Sequence, residues 1–352
     1  MNTSYNQSRE LARVANYSAQ GSVPYRYVFV LTNLCNLKCS FCFQDKKYNP
    51  SSLSLGDWKS IIDQLPRDAH ITLTGGEPLL FKDFRDLIEY IPDTITFNLI
   101  TNGLLLEEEY VDYLLAKENF KVLSISIDDI GNSSRDFKEC DWQRLLSNIE
   151  YLNEARLVAS SDIIFDVKSV VHAGNQNNIS KLSKFVSEEL KANTHMIMFL
   201  KGSPIQHADV MFEYENILYE NNRYEDYNSK ILKEELLKVY KLSQEFKDTK
   251  FYLHPKYSDF YEDFDVSVQV NQLELKTHDS DKHLKCLSPW ESIHINNDGN
   301  VFPCLAVSWG NVQHSSLKEI VESEIANRFK QEIDTCGTVA ACKHCGYLKL
   351  TS

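Results

Sequence analysis

The chain has 352 residues, 43% of them hydrophobic, and a formal net charge of −13. This composition is typical of a globular protein with room for one large domain and a smaller one. The acidic charge argues against a nucleic-acid partner, because binding to a phosphate backbone relies on clusters of Lys and Arg. No apolar run approaches the roughly 20 residues of a membrane span. Nine cysteines without a signal-peptide pattern predict a reducing, cytoplasmic location.

Strand-like apolar runs alternate with amphipathic helical patterns through the first 200 residues. The predicted strands are residues 26–31, 69–74, 95–101, 121–127, 163–171 and 195–200. A helical pattern follows each of the first five, and Ser54 is the expected N-cap of the first helix. Strands that alternate with helices in this way pair in parallel through right-handed crossovers. The pattern therefore predicts an α/β fold, either an open sheet or a barrel.

Three cysteines follow the first predicted strand with the spacing CxxxCxxC: Cys35, Cys39 and Cys42. The carboxyl ends of parallel strands are where open sheets and barrels build their active sites. Thiolates are soft ligands that suit an iron–sulfur cluster or zinc, and three of them leave one position of a cubane cluster open. The residues alone also allow a zinc knuckle with a fourth ligand from elsewhere, or simply buried thiols.

A second motif, Gly75-Gly76-Glu77-Pro78, ends the second predicted strand. Glycines let a backbone approach a bound group closely, and a carboxylate is a strong hydrogen-bond acceptor; a tight turn with a surface Glu is the alternative. Together with CxxxCxxC and an aromatic residue, Phe41, before the last cysteine, the motif resembles the radical S-adenosylmethionine (SAM) superfamily. The resemblance runs from about residue 25 to the C-terminus, leaving part of the middle uncovered.

The resemblance implies a fold, a reaction and a set of cofactors. The fold is a partial (β/α)6 barrel of the TIM type over residues 25–205, after an N-terminal extension at 1–24. Cys35, Cys39 and Cys42 would hold a [4Fe–4S] cluster whose open iron binds SAM. Reduction, by a flavodoxin- or ferredoxin-type partner, would cleave SAM to a 5′-deoxyadenosyl radical that abstracts a substrate hydrogen.

The resemblance also implies contacts between protein side chains or backbone and SAM. The expected contact residues are Phe41, Gly75, Gly76, Glu77, Asn102, Ser126, Arg135 and Leu200. Several of them have a plainer interpretation on pattern alone. Phe41 and Leu200 could be core residues, Asn102 could form an Asx turn, and Arg135 could be an exposed loop arginine. Nothing in the sequence distinguishes five histidines that could each be a base or a ligand: His172, His207, His254, His294 and His344. Three residues near predicted strand ends receive no role beyond possible contact with cofactor or substrate: Asp128, Lys168 and Lys201.

The remainder of the chain changes in character. Residues 206–283 are acidic and rich in tyrosine, and we expect a bridge or lid over the barrel mouth, or else a surface insertion. Residues 284–352 begin with two short strands around Asp298-Gly299, a hairpin signal, and continue with a helix that Ser316 caps.

Cysteines flank this C-terminal hairpin and close the chain. Their spacing, with Gly299 five residues before the second one, resembles the SPASM/twitch auxiliary-cluster domain. The implied ligands of one auxiliary [4Fe–4S] cluster are Cys286, Cys304, Cys342 and Cys345. Two clusters would need more thiolates than the five cysteines beyond residue 285, which favours the one-cluster twitch form. Cys336 is either a substitute ligand or a spare thiol, and zinc on the same thiolates is the alternative.

Two kinds of substrate remain for such an enzyme. We expect a peptide or protein that is oxidised, crosslinked or epimerised, because the acidic segment could grip an extended basic peptide. The alternative is a radical dehydrogenase that acts on a sugar or an aminocyclitol-like alcohol. A non-catalytic iron–sulfur or zinc module is the interpretation from another class, and it predicts no 5′-deoxyadenosine from SAM.

Overall fold

A computed structural model describes residues 24–44, 52–200, 205, 210–218, 228–253, 286 and 288–342. Its centre is one sheet of ten strands. The strands are β1 Arg26–Val30, β2 His70–Thr74, β3 Thr96–Thr101, β4 Phe120–Ser126, β5 Ile164–Val171, β6 Thr194–Phe199, β7 Lys250–Leu253, β8 Ser292–Ile295, β9 Asn300–Phe302 and β10 Gly310–Asn311. Their order in the sheet is β10-β9-β8-β1-β2-β3-β4-β5-β6-β7.

Strands β1 to β7 are all parallel to their neighbours, so their carboxyl ends meet at one edge. The six strands predicted from the sequence are confirmed, and each end lies within one residue of its expected place. The predicted α/β fold with a parallel sheet is therefore the fold of this chain. Apolar runs of five to eight residues gave a clear signal because these strands are buried.

Helices connect the parallel strands and cover one side of the sheet. The helices are α1 Leu55–Ile62, α2 Phe84–Tyr90, α3 Glu108–Leu115, α4 Glu139–Val158, α5 Ile179–Glu188, α6 Ser229–Glu245, α7 Ser288–Glu291, α8 Leu317–Val321 and α9 Glu324–Cys336. Ser54 caps α1 as predicted, because its hydroxyl accepts from the Asp57 N–H while the Asp57 carboxylate accepts from the Ser54 N–H. The buried face of α1 includes Trp58, whose ring lies 4.8 Å from that of Phe29 on β1. No helix in the described residues is both long and apolar enough to cross a membrane.

The opposite face of the parallel strands carries polar groups. Asp166 on β5 accepts hydrogen bonds from Ser124 of β4 at 2.8 Å and from Thr194 of β6 at 2.5 Å. Lys168 Nζ lies 2.8 Å from Asp166 Oδ2. In register, Lys168 stands beside Ser126, the last residue of β4. Residues two apart on a strand share a face, so Ser124 and Ser126 lie on the same face as Asp166 and Lys168. These polar side chains therefore continue to the carboxyl ends of the strands.

Residues 228–253 are the longest described part of the segment expected to form a bridge or lid. Helix α6 and strand β7 form a further helix–strand unit, and β7 pairs in parallel with β6. The apolar face of α6, with Leu232, Leu236 and Val239, packs against Ile197 and Phe199 of β6. Residues 228–253 therefore extend the sheet, because an amphipathic helix buries more apolar surface there than it would above the barrel mouth. Other parts of 206–283 lie outside the described residues.

The predicted C-terminal hairpin is confirmed by the antiparallel pairing of β8 with β9. Gly299 turns the chain with φ +86°, a conformation that favours glycine. The hairpin does not stand apart from the core, since β8 also pairs in parallel with β1. This long-range pairing places the C-terminal segment beside the strand that leads into the cysteine loop.

Candidate active site

The loop that carries the three cysteines packs directly against the turn that follows β2. The Gly76 N–H donates to the Thr32 carbonyl at 2.6 Å, and the Glu77 N–H donates to the Leu34 carbonyl at 2.8 Å. A Cβ at Gly76 would stand 2.3 Å from the Leu34 oxygen, and one at Gly75 would stand 2.6 Å from the Thr32 oxygen. Both glycines are therefore required by backbone packing, and their expected contact with SAM stays a prediction.

Glu77 is completely buried, and its carboxylate accepts hydrogen bonds from protein groups. Oε1 accepts from the Thr101 hydroxyl at 2.7 Å and from the Leu79 N–H at 3.2 Å, and Oε2 accepts from the Asn102 N–H at 2.9 Å. Burial raises the pKa of Glu77 to about 7, against the lowering effect of these hydrogen bonds. The side chain therefore connects the turn after β2 to the end of β3. Its expected contact with SAM stays a prediction.

Asn102 links the end of β3 to the cysteine loop. Its Nδ2 donates to Asn36 Oδ1 at 2.8 Å, and its Oδ1 accepts from the Leu104 N–H at 3.0 Å. The second contact is the Asx turn that the sequence allowed as an alternative. The first contact was not predicted, because it depends on which loops the parallel strands bring together.

The three thiols of the loop are half-buried. The Leu37 N–H donates to Cys35 Sγ at 3.4 Å, and Cys39 Sγ lies 3.7 Å from the Arg135 carbonyl oxygen. Within the described ranges, no three His, Cys, Asp or Glu side chains converge closely enough to hold one metal ion. A cubane cluster takes each thiolate at a different iron, so its ligands stand farther apart. Half-buried thiols with a backbone N–H donor to sulfur therefore fit an iron–sulfur cluster.

Arg135 lies beside the thiols and forms a buried ion pair with Asp128. Its Nε is 2.8 Å from Asp128 Oδ2, and its Nη2 donates to Oδ1 at 3.3 Å. Burial by itself would lower the pKa of Arg135, but Asp128 and the thiols of Cys39 and Cys42 together raise it, so the guanidinium is charged. The alternative of an exposed loop arginine is wrong, because only 14% of this side chain is exposed. Asp128 lies two residues after Ser126, and this position at a strand end was its only sequence signal.

In the sequence, Phe41 lies between Cys39 and Cys42, the last two cysteines of the motif. Its ring contacts two groups from other loops. The His172 ring stacks on it with centroids 5.2 Å apart, and the Arg135 guanidinium lies 5.5 Å from its centroid. Sequence reasoning could not separate His172 from the other histidines. Its position directly after β5 was the signal available, since Val171 ends that strand.

Ser126 is the last residue of β4, and Leu200 directly follows β6. The Ser126 carbonyl accepts from Asn132 Nδ2 at 3.2 Å. Leu200 is half-buried, and its N–H donates to the Val171 carbonyl at 2.9 Å. Phe199, one residue earlier, faces the apolar core beneath α6 instead. The contacts of Ser126 and Leu200 with SAM stay predictions.

The C-terminal cysteines differ in how deeply they are buried. Cys286, Cys304 and Cys342 all pack against the main apolar core. Cys336 is exposed at the end of α9. Cys345 lies outside the described residues. The role of Cys286, Cys304 and Cys342 as auxiliary ligands stays a prediction, and so does the number of auxiliary clusters.

Two family models match the chain. Residues 29–169 match the radical SAM superfamily, and residues 286–346 match SPASM, an iron–sulfur cluster-binding domain. The chain therefore belongs to the radical SAM superfamily and carries a C-terminal SPASM domain. The cofactors of this class are a [4Fe–4S] cluster with SAM, and auxiliary iron–sulfur clusters in the SPASM domain.

Two curated relatives match parts of the chain that differ in length. The sporulation killing factor maturation protein SkfB of Bacillus subtilis is 30% identical over 194 residues, which cover 53% of this chain and 44% of that protein. An S-adenosylmethionine-dependent nucleotide dehydratase of Selenomonas ruminantium is 37% identical over 113 residues, or 30% of this chain and 40% of that protein. Each match thus spans less than half of the relative.

Among solved structures, Streptococcus suis SuiB bound to its precursor peptide SuiA superposes with a TM-score of 0.65. The sequence identity is 15%, and the superposition covers 98% of this chain and 77% of SuiB. At this identity the likeness concerns the fold. It extends through both the core and the C-terminal segment.

Proposed function

We propose that this protein is a radical SAM enzyme that modifies a peptide or protein substrate by abstracting a hydrogen atom from it. The modification would be an oxidation, a crosslink or an epimerisation. The observation that carries the proposal is the fold likeness along 98% of the chain to SuiB, whose structure holds a precursor peptide. The similarity to SkfB, a maturation protein, supports the same substrate class.

When bound, the core cluster and SAM supply an electron and a 5′-deoxyadenosyl radical that takes a hydrogen atom from a C–H bond. Cys35, Cys39 and Cys42 would hold the cluster. The Leu37 N–H would keep the Cys35 sulfur in place and stabilise its negative charge. The cysteine loop packs directly against the two glycines after β2, and a side chain at either glycine would displace that loop.

The charged Arg135 lies beside Cys39 and Cys42, whose thiolates would carry negative charge. Its ion pair with Asp128 is fixed in turn by the Val170 N–H, which donates to Asp128 Oδ1 at 2.7 Å. A buried, hydrogen-bonded pair of this kind keeps one orientation, because moving either partner would leave the other charge unpaired. The pair therefore fixes the loop after β4 against strand β5, and the Arg135 carbonyl oxygen of that loop lies 3.7 Å from Cys39 Sγ.

The polar interior face of the strands suits a substrate with many hydrogen-bonding groups. Asp166 and Lys168 form an ion pair on this face, and Ser124 and Thr194 donate to the same carboxylate. A peptide offers both N–H donors and carbonyl acceptors to such a surface. The face continues toward Ser126 at the strand ends, so a bound peptide would lie close to the cofactor site.

A nucleotide substrate is the second candidate, because the relative with 37% identity is a nucleotide dehydratase. That match covers 30% of the chain, whereas the likeness to SuiB also includes the C-terminal domain. Dehydrogenation of a sugar or aminocyclitol-like alcohol, the alternative that the sequence left open, is the third class to be tested beside them.

The test compares these substrate classes in one assay. The protein is reconstituted with iron and sulfide without oxygen, reduced, and mixed with SAM and a deuterated substrate. The peptide probes are synthetic copies of short peptides encoded beside the gene, and the comparators are ribonucleotides and an aminocyclitol. We expect deuterium in 5′-deoxyadenosine, together with a mass change of the peptide, from a peptide probe only. Transfer from a ribonucleotide or the aminocyclitol alone would contradict the proposal, and Cys35→Ala is the control without a core cluster.

A further inference from the structure

His172 is held rigidly at the edge where the parallel strands end. Its N–H donates to Asn175 Oδ1 at 2.8 Å, and Asn175 Nδ2 donates to the carbonyl oxygens of Asp128 and Val170, both at 2.9 Å. The loop after β5 is thereby tied to the loop after β4, which carries Arg135. These hydrogen bonds fix the backbone from which the imidazole projects.

The protonation pattern of the imidazole follows from its contacts. The Gly174 N–H donates to His172 Nδ1 at 3.1 Å, so Nδ1 is an acceptor and the proton of the neutral ring is on Nε2. A Cβ at Gly174 would stand 3.1 Å from Nδ1, so a glycine leaves room for this close approach. The loop therefore selects the tautomer that presents Nε2–H as a donor.

That donor has no partner among the described protein groups. His172 Nε2 is buried and makes no hydrogen bond. Most buried polar atoms in folded proteins are hydrogen-bonded, so a buried donor without an acceptor indicates a partner other than the protein. The ring stacks on Phe41, whose neighbour in sequence is Cys42. The imidazole therefore lies beside the loop that would hold the cluster and SAM.

We propose that His172 is a positioning residue of the SAM site, and that its Nε2–H donates a hydrogen bond to an oxygen or nitrogen acceptor of bound SAM. The inference rests on the proposed function, because it needs SAM at the core cluster. Stacking on Phe41 and the hydrogen bond from Gly174 orient the ring before SAM binds. The imidazole therefore loses little rotational freedom when it donates this hydrogen bond.

The experiment measures SAM affinity of the anaerobically reconstituted protein by titrating the change in the electron paramagnetic resonance spectrum of the reduced cluster. His172→Phe keeps an aromatic ring against Phe41 but removes the donor, and His172→Gln keeps a donor. The exposed His314 supplies the matched control, His314→Phe. We expect SAM to bind about tenfold more weakly to His172→Phe, as for one lost hydrogen bond. His172→Gln and the control should stay within about threefold of the natural protein, with unchanged iron content throughout.

Several outcomes would overturn the inference. One is a His172→Phe variant that binds SAM as tightly as the natural protein. Another is loss of iron in His172→Phe, since this would make the residue a support of the cluster loop. Equal weakening in His172→Gln and His172→Phe would show that the donor is not what SAM needs. Absence of any SAM effect on the natural protein would instead contradict the proposed function, so the two failures are distinguishable.

Discussion

Gly76→Ala tests whether the turn after β2 holds the cysteine loop in place. A Cβ at this position would meet the Leu34 carbonyl oxygen at 2.3 Å and the Asn33 carbonyl oxygen at 2.8 Å. Both obstacles are backbone, so no side chain can rotate away, and the two segments must separate by about 1 Å. The separation strains the hydrogen bonds that Thr32 and Leu34 accept from this turn.

We expect these effects to lower the free energy of unfolding by about 3–4 kcal/mol, from overpacking and two weakened hydrogen bonds. The core cluster should be lost while the SPASM domain keeps its iron, so iron per chain should fall by about the content of one cluster. Anaerobic urea unfolding and iron analysis measure the two quantities. Gly56→Ala in α1 is the control, because its Cβ would meet only Ser54 Oγ at 3.6 Å. It should keep all iron and gain up to about 1 kcal/mol. Unchanged iron and stability in Gly76→Ala would refute the packing argument.

Three further predictions concern buried charge. Arg135→Gln should make the reduction potential of the core cluster more negative, because it removes a cation beside Cys39 and Cys42, two of the predicted cluster ligands. It also leaves Asp128 unpaired, at a cost of about 3–5 kcal/mol. Adding Asp128→Asn to Arg135→Gln should restore the free energy of unfolding but not the reduction potential. A redox titration in which Arg135→Gln has the potential of the natural protein would refute this prediction. Glu77 has a pKa of about 7 in the folded protein and 4.5 otherwise. Its stabilising contribution is therefore full below about pH 4.5 and is lost as pH rises to about 7, a change of about 3 kcal/mol. Glu77→Gln should remove this loss, so stability measured by urea unfolding between about pH 5 and 6.5 should rise more steeply with pH; an unaltered slope would contradict it. Burial lowers the pKa of His195 from 6.5 to about 4, so its contribution is full above about pH 6.5 and is lost as pH falls toward 4. His195→Gln should give the opposite change of slope in the same experiment, and a steeper rise with pH would exclude this assignment.

The parallel core could be predicted because its signals are local. Each strand from β1 to β6 is a short apolar run between an amphipathic helix and a loop, so periodicity located its ends within one residue. The hairpin of β8 and β9 was equally clear because Asp298-Gly299 is a turn sequence. The two cysteine groups and the glycine pair indicated the family, because each of these motifs is a short pattern that can be identified in the sequence.

The remaining features depend on contacts between distant parts of the chain. Strand β7 lies within an acidic, tyrosine-rich segment, and its assignment depends on pairing with β6. The sequence does not reveal that Thr101 and Asn102 donate hydrogen bonds to the Glu77 carboxylate. The role of His172 could not be separated from that of other histidines until β5 placed it against Phe41. Local patterns specify elements, whereas the partners of buried polar groups follow from tertiary packing.

The most direct test of the account is electron paramagnetic resonance of the reduced, anaerobically reconstituted protein before and after SAM is added. We predict that SAM changes the signal of one cluster and that 5′-deoxyadenosine forms. Both effects should be absent in Cys35→Ala, which should keep the signal of the SPASM domain. A spectrum that SAM leaves unchanged, or a colourless protein that contains zinc in place of iron, would contradict the claim that three thiolates hold a cluster with an open iron.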